Sequence, residues 1–135
     1  MFLYLSWKNC VFVMGGCIVK MDREKIFKKF DGHCAYCGIK IDFCNLHIDH
    51  IKSRASGCSE IDSEKNFNPA CPVCNNWKHC DNLETFRRSI ETQVRKCRDY
   101  SRNFRMAERY GLVNVTEKPI VFYFEYEWLI KQNKV

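Results

Sequence analysis

The chain has 135 residues, of which 46% are hydrophobic, and it carries 22 basic against 16 acidic side chains, for a net charge of +6. This length suits a single domain with a modest core, and the absence of repeats and low-complexity segments excludes solenoid and compositionally biased architectures. Residues 82–110 hold eight basic and four acidic side chains, whereas residues 31–81 hold five and seven. A basic segment beside a slightly acidic one is typical of a protein that binds a polyanion.

The first 20 residues are apolar but fit no targeting signal. Lys8 and Asn9 interrupt the apolar run, and no basic stretch precedes it, so the pattern matches neither a signal peptide nor a membrane anchor. We therefore expect residues 1–20 to be an extension or a mis-assigned start. Residues 21–127 are expected to form the domain, with its core at about 31–81, and residues 128–135 to form a tail. No association with a membrane is expected.

Hydrophobic periodicity predicts the elements of the first half of the domain. Residues 22–30 have apolar side chains three to four apart, which predicts a short amphipathic helix. Residues 46–51 alternate as a half-buried strand does, residues 53–65 form a polar loop, and residues 66–69 resume an extended segment. Together these segments predict a hairpin with a long tip.

The second half is predicted to contain basic helices and a strand. A helix should begin near Asp81 and carry one apolar stripe, formed by Leu83, Phe86, Ile90, Val94 and Cys97. A second helical stretch adds Arg102, Arg105 and Arg109 before Gly111 ends it. Residues 120–126 are dense in β-forming side chains and predict a C-terminal strand. The expected fold class is α+β.

Four of the ten cysteines form two Cys-x-x-Cys pairs, Cys34 with Cys37 and Cys71 with Cys74, separated by 33 residues. A spacing of two residues lets both sulfurs of a pair bind one tetrahedral ion, and four thiolates close its coordination shell. The pattern predicts a structural zinc site rather than a disulfide framework. Redox-active pairs and ordinary buried cysteines are the alternatives.

The interval between the two pairs holds residues that a zinc site does not need. His47, Asp49 and His50 lie in the predicted strand, and Asn66 follows the loop. Carboxylate and amide oxygens are hard ligands for Mg²⁺, and an imidazole can take a proton from water near neutral pH, so this set suits hydrolysis of a phosphodiester. Asp49 and His50 would face opposite ways on a regular strand, so we expect the strand to bend or end there. A regular strand would instead pair His47 with Asp49.

The order and spacing of these motifs resemble the HNH endonuclease family, especially the small phage and bacterial members whose ββα-metal core is held by a four-cysteine zinc. The resemblance covers about Met21 to Glu127 and rests on Cys34-x-x-Cys37, Asp49-His50-Ile51, Asn66-Phe67, Pro69 and Cys71-x-x-Cys74-Asn75-x-x-Lys78. It implies that Asp49 and Asn75 bind a catalytic Mg²⁺ or Mn²⁺ ion, that His50 is the general base, and that Asn66 braces the hairpin and so orients His50.

The resemblance also bears on the substrate and the partners. It implies double-stranded DNA as the substrate and, through the phage members, association with packaging proteins. Beside a nuclease core, basic side chains are expected to contact phosphate rather than only to face solvent. The candidates for nucleic-acid contact are His47, Lys78, Arg87, Arg88 and Arg95. His47 has two other interpretations, an extra metal ligand or an ordinary exposed histidine.

Two departures from the family pattern remove no catalytic group: Phe67 replaces a usual leucine, and His79 replaces a frequent glycine. The leading interpretation is a nuclease in the cytoplasm, where thiols stay reduced. A zinc-dependent module that binds nucleic acid without catalysis would keep the cysteines and arginines but would not need Asp49, His50 or Asn75. A thiol redox protein would have reactive cysteine pairs and no metal.

Overall fold

The computed structural model describes residues 22–53 and 62–126. The predicted extension at 1–20, the predicted tail at 128–135 and most of the predicted polar loop lie outside the described residues. Within the described ranges the elements are α1 (Arg23–Lys28), β1 (His47–His50), β2 (Phe67–Ala70), α2 (Pro72–Lys78), α3 (Leu83–Glu91), α4 (Gln93–Tyr100) and α5 (Arg102–Arg109), with 3-10 turns at Phe43–Asn45 and Glu64–Asn66. No helix described here combines the length and apolar character that crossing a bilayer requires. The α+β fold class is confirmed.

A hairpin followed at once by a helix forms the centre of the domain. β1 and β2 pair antiparallel, with Asp49 opposite Asn68 and His50 opposite Phe67. Helix α2 begins directly after β2 because Pro72 occupies its first turn, where a missing backbone N–H is no loss. This ββα order matches the predicted core.

The hydrophobic core joins the first cysteine pair to α3 and to the C-terminal segment. Its buried members are Cys34, Tyr36, Ile41, Leu46, Ala70, Cys71, Phe86 and Phe122. The ring of Tyr36 meets Phe86 edge-on at 5.5 Å between centroids, and Phe86 stacks on Phe122 at 5.4 Å. Such aromatic contacts add specific geometry to the apolar area they bury, so the cysteine pair is held on a rigid base.

The basic helical region contains a break that the apolar stripe did not predict. The expected continuous helix is two helices, α3 and α4, which separate at Thr92. The Thr92 hydroxyl and the Gln93 amide both donate to the carbonyl of Ser89, at 3.0 and 2.6 Å, and side chains that bond back in this way disturb the helix ladder. The cap of α3 is Asn82 rather than Asp81, since the Asn82 side chain accepts from the N–H of Thr85 at 2.9 Å.

The predicted C-terminal strand at 120–126 is wrong. Residues 120–122 have no regular structure, and residues 123–126 are helical. The N–H groups of Tyr123 and Phe124 donate to the carbonyls of Tyr36 and Ala35 at 3.0 and 2.9 Å. The Glu125 carboxylate accepts from the N–H of Phe122 at 2.8 Å, as an acidic residue does at a helix start. These contacts override the strand preference of the aromatic residues.

Candidate functional site

The four paired cysteines converge on one point. The Sγ atoms of Cys34, Cys37, Cys71 and Cys74 all lie within 4.8 Å of one another, and those of Cys37 and Cys71 are 3.8 Å apart. Sulfurs around a tetrahedral zinc, at Zn–S distances of about 2.3 Å, would be about 3.8 Å apart. The cluster could therefore hold a metal ion, and its donor set fits zinc. Among the described residues, no second group of three or more histidine, cysteine or acidic ligands comes as close together.

The backbone around the first cysteine pair is shaped for this convergence. The N–H of Gly38 donates to the carbonyl of Cys34 at 2.9 Å, and the N–H of Cys34 donates to the carbonyl of Ile39 at 2.8 Å. Gly38 has a φ of +75°, which favours glycine, and a Cβ atom there would lie 2.7 Å from the ring of Tyr123. A glycine directly after Cys37 is thus needed for the tight turn that brings the two sulfurs together.

The sulfur cluster favours negative charge at one thiol. Hydrogen bonding to Cys74 lowers the pKa of Cys34 to about 4, whereas burial raises the pKa of Cys37 to about 11. The backbone N–H of Cys71 adds a hydrogen bond to the Cys34 sulfur at 3.3 Å. A bound cation would stabilise the other three thiols as thiolates and release their protons.

A second feature is an open depression of about 350 Å³ between the end of β1 and α2. Asp49, His50 and Asn75, the two predicted metal ligands and the predicted general base, all line it. As side-chain alternation required, β1 ends at His50, so neighbouring side chains can face one space. Asn66 does not line the depression and lies behind it, in the 3-10 turn before β2.

The Asp49 carboxylate is buried and contacts two side chains, with only 4% of the residue exposed. The hydroxyl of Tyr36 donates to its Oδ2, and the ammonium of Lys78 lies 3.0 Å from Oδ2 and 3.3 Å from Oδ1. Burial, together with the charge of Asp49, raises the pKa of Tyr36 well above its usual range, so this hydroxyl remains a neutral donor. These contacts fix the orientation of the carboxylate.

Lys78 was predicted to contact nucleic acid, and the structure contradicts this. The residue is 0% exposed, and its ammonium donates to the carbonyl of His50 at 2.7 Å as well as to Asp49. A buried charge is stabilised only where it has such partners. Lys78 therefore holds Asp49 and the backbone of His50 in place from inside the domain.

The imidazole of His50 is held by a carboxylate that the sequence analysis did not single out. Its Nε2 atom lies 3.0 Å from Oδ1 of Asp62, and its ring meets Phe67 edge-on at 4.9 Å between centroids. Because a carboxylate accepts, Nε2 carries the proton of this bond. Nδ1 is then the ring nitrogen left for other chemistry.

Asn66 and Asn75 make different kinds of contact. The Asn66 side chain accepts from the N–H of Lys52 at 2.8 Å and donates to the carbonyl of Lys52 at 3.0 Å, which fixes the chain two residues beyond His50. The amide nitrogen of Asn75 donates to Nδ1 of His47 at 3.1 Å. This bond brings His47 to the site but leaves the amide oxygen of Asn75 for another partner.

The three predicted arginines have different surroundings. Arg87 donates to the carbonyl of Ile120, lies 2.7 Å from Glu125 and covers the ring of Phe122 at 4.5 Å. The guanidinium therefore fastens the C-terminal segment to α3, and its predicted contact with nucleic acid stays a prediction. Arg88 and Arg95 are exposed and available for contact.

Three residues of the site were missed by the sequence analysis. Tyr36 counted only as a spacer between cysteines, Asp62 only as part of a polar loop, and His79 only as a departure from a glycine pattern. One signal was available: Asp62 lies four residues before Asn66, near the end of the loop that leads back to the predicted hairpin. The contact between Tyr36 and Asp49 had no signal in the spacing.

The family model described as HNH endonuclease matches residues 34–81 of the chain. This range begins at the first ligand of the sulfur cluster and includes β1, β2 and α2, so it contains both features described above. No curated protein and no solved structure matches the chain significantly.

Proposed function

Because residues 34–81 form a domain of the HNH endonuclease family, we propose that the protein is a metal-dependent endonuclease that hydrolyses phosphodiester bonds in double-stranded DNA. One observation carries the proposal: Asp49, His50 and Asn75 line a single open depression, although 25 positions separate the last two in sequence. A module that only binds nucleic acid does not need these residue types to meet.

In this proposal His50 is the general base. With Nε2 bound to Asp62, its Nδ1 accepts a proton from a water molecule. The resulting hydroxide attacks phosphorus in line and the bond from phosphorus to the 3′ oxygen breaks. The 3′ oxygen then takes a proton from solvent, so a 5′-phosphate and a 3′-hydroxyl remain. Asp62 keeps the imidazole in one tautomer and stabilises its positive charge after the transfer, as a carboxylate does beside a catalytic histidine.

Asp49 and Asn75 would hold the catalytic Mg²⁺ or Mn²⁺ ion. Tyr36 and Lys78 occupy part of the Asp49 carboxylate, which still offers lone pairs toward the depression. Mg²⁺ keeps several water ligands and needs only one or two protein oxygens, so this small donor set fits it. When bound, the ion supplies stabilisation of the negative charge that develops on the leaving oxygen.

We assign the sulfur cluster to structural zinc and the exposed basic side chains to the phosphate backbone. Besides Arg88 and Arg95, the exposed basic residues of the helical region are Lys96, Arg98, Arg102, Arg105 and Arg109. His47 joins them at the edge of the site through its bond to Asn75. The phage-like motifs support a role beside packaging proteins, and the reduced thiols that zinc requires support the cytoplasm.

The test is cleavage of supercoiled plasmid by the purified zinc-loaded protein with Mg²⁺, with Mn²⁺, without added metal and with EDTA. We expect nicked or linear products only with added metal. His50→Ala should lower the rate by about 100-fold or more while DNA binding and zinc content are unchanged, because general-base catalysis contributes at least that much. The variant also controls for contaminating nucleases.

The main alternative is a zinc-dependent module that binds nucleic acid without catalysis. The exposed arginines favour it as much as they favour a nuclease. Binding without cleavage in the wild type, across metals and substrates, would establish this alternative. Cleavage that persists unchanged in His50→Ala would remove His50 as the base and would point to a contaminating nuclease.

Replacement of Asp62 by asparagine is expected to lower the cleavage rate by about tenfold or more, because an amide can present the wrong group to Nε2 and select the wrong tautomer. The KM for DNA should change little, since Asp62 contacts His50 rather than substrate in this proposal. Steady-state rates of the two proteins at several DNA concentrations measure both effects. Equal rates for the variant and the wild type would contradict an orienting role.

A further inference from the structure

His79 lies where the depression meets the end of α2. It follows the last residue of the helix, and its N–H donates to the carbonyl of Asn75 at 2.9 Å. It also lines the same depression as Asp49, His50 and Asn75. The residue is exposed, so its imidazole is accessible to solvent at the edge of the depression.

The backbone of His79 is in a conformation that favours glycine. Its φ is 49° and its ψ is −118°, which lies outside the small left-handed region that L-residues tolerate. Asp31, with a φ of 50°, is the other non-glycine residue with positive φ in the described ranges. Strained backbones of this kind cost free energy and persist where something else requires the side chain.

Nothing in the described part of the fold explains why a side chain is present at position 79 despite the strained backbone. No described residue forms a hydrogen bond or an ion pair with the His79 side chain, and His79 is not a member of the hydrophobic core. A glycine would satisfy the backbone better, and it would leave the core unchanged. The imidazole at this position therefore has a role other than stabilising the fold.

We propose that His79 is a further active-site residue, whose imidazole donates a hydrogen bond to a non-bridging oxygen of the scissile phosphate. The inference rests on the proposed nuclease function and adds a substrate contact to it. A neutral imidazole always carries one N–H donor, and a donor aimed at the oxygens of a phosphorane-like transition state lowers its free energy. Because charge on these oxygens rises during attack, the contact should affect kcat more than KM.

The test compares His79→Gly with Asp31→Gly, a matched control that relieves positive φ at an exposed turn residue outside the depression. We expect His79→Gly to unfold at a higher urea concentration than the wild type but to have a kcat about tenfold or more lower, with KM within about twofold. Asp31→Gly should cleave at the wild-type rate. His79→Asn, which tolerates positive φ and retains a donor, should keep more activity than His79→Gly.

The outcomes separate this inference from the proposed function. A His79→Gly protein that is more stable and cleaves as fast as the wild type would overturn the role of His79 while the nuclease assignment stands. A His79→Gly protein that loses stability together with activity would make His79 a structural residue and would equally overturn it. Absence of cleavage in the wild type, with His50→Ala as reference, would instead remove the function on which the inference rests.

Discussion

Chelation of zinc is expected to unfold the domain rather than only to inactivate it. Cys34 and Cys71 are buried members of the hydrophobic core, so the metal site and the core form together. Structural zinc contributes about 10 kcal/mol or more to folding in small domains, whereas a whole domain is stable by about 5–15 kcal/mol. Without the ion, the remaining stability would be near zero. Circular dichroism during titration with a strong zinc chelator would measure the loss of structure, and a colorimetric dye would measure the zinc released.

Matched cysteine variants sharpen this prediction. Cys74→Ser removes a ligand and should lower zinc content and the thermal midpoint together. Cys80→Ser changes an exposed cysteine outside the cluster and should leave both unchanged. If Cys74→Ser lost its zinc but kept the thermal midpoint of the wild type, the core would be stable without the metal. Disulfide formation between Cys34 and Cys37, with redox activity and no zinc, would point to the thiol redox alternative.

Replacement of Lys78 by methionine is expected to destabilise the protein by about 3–5 kcal/mol, because removing one partner of a buried pair leaves the other charge uncompensated. Here the orphaned charge is the Asp49 carboxylate, which is 4% exposed. Urea unfolding measures the change in free energy. Lys65→Met, at an exposed lysine in the turn before β2, is the control and should shift the free energy by less than about 0.5 kcal/mol.

A double variant separates the stability of this pair from its part in the reaction. Asp49→Asn combined with Lys78→Met removes both charges, and much of the stability lost in Lys78→Met should return. Cleavage should not return, since the double variant lacks the carboxylate that would hold the catalytic ion. Stability in Lys78→Met equal to that of Lys65→Met would contradict the structural role of Lys78.

The parts of the fold that sequence predicted well are those set by local spacing. The two cysteine pairs and the alternation across β1 each depend on neighbours within a few residues. The presence of Asp49, His50 and Asn75 in one depression was predicted by the family resemblance rather than by periodicity. Local rules and a resemblance together therefore located the core of the domain.

The predictions that failed concern residues whose structure depends on contacts between distant segments. Residues 120–126 have the composition of a strand, but the N–H groups of two of them donate to the carbonyls of Ala35 and Tyr36, and Glu125 is held by Arg87. Lysine is usually a surface residue, but Lys78 is buried because Asp49 provides it with a buried partner. No local pattern distinguishes a lysine that binds phosphate from one that binds a carboxylate 29 positions away.

Tyr36 connects the sulfur cluster to the Asp49 carboxylate beside the depression, so protein design has to treat the two features together. Its backbone is the spacer between two sulfur ligands, its carbonyl receives the N–H of Tyr123, and its hydroxyl supports the Asp49 carboxylate. If the hairpin were transplanted onto another scaffold, Asp49 would lose that support unless the scaffold supplied a hydroxyl in the place of Tyr36. The unit that can be moved between proteins therefore includes α3 and the C-terminal segment as well as residues 34–81, because Phe86 and Phe122 pack in the same core as Tyr36.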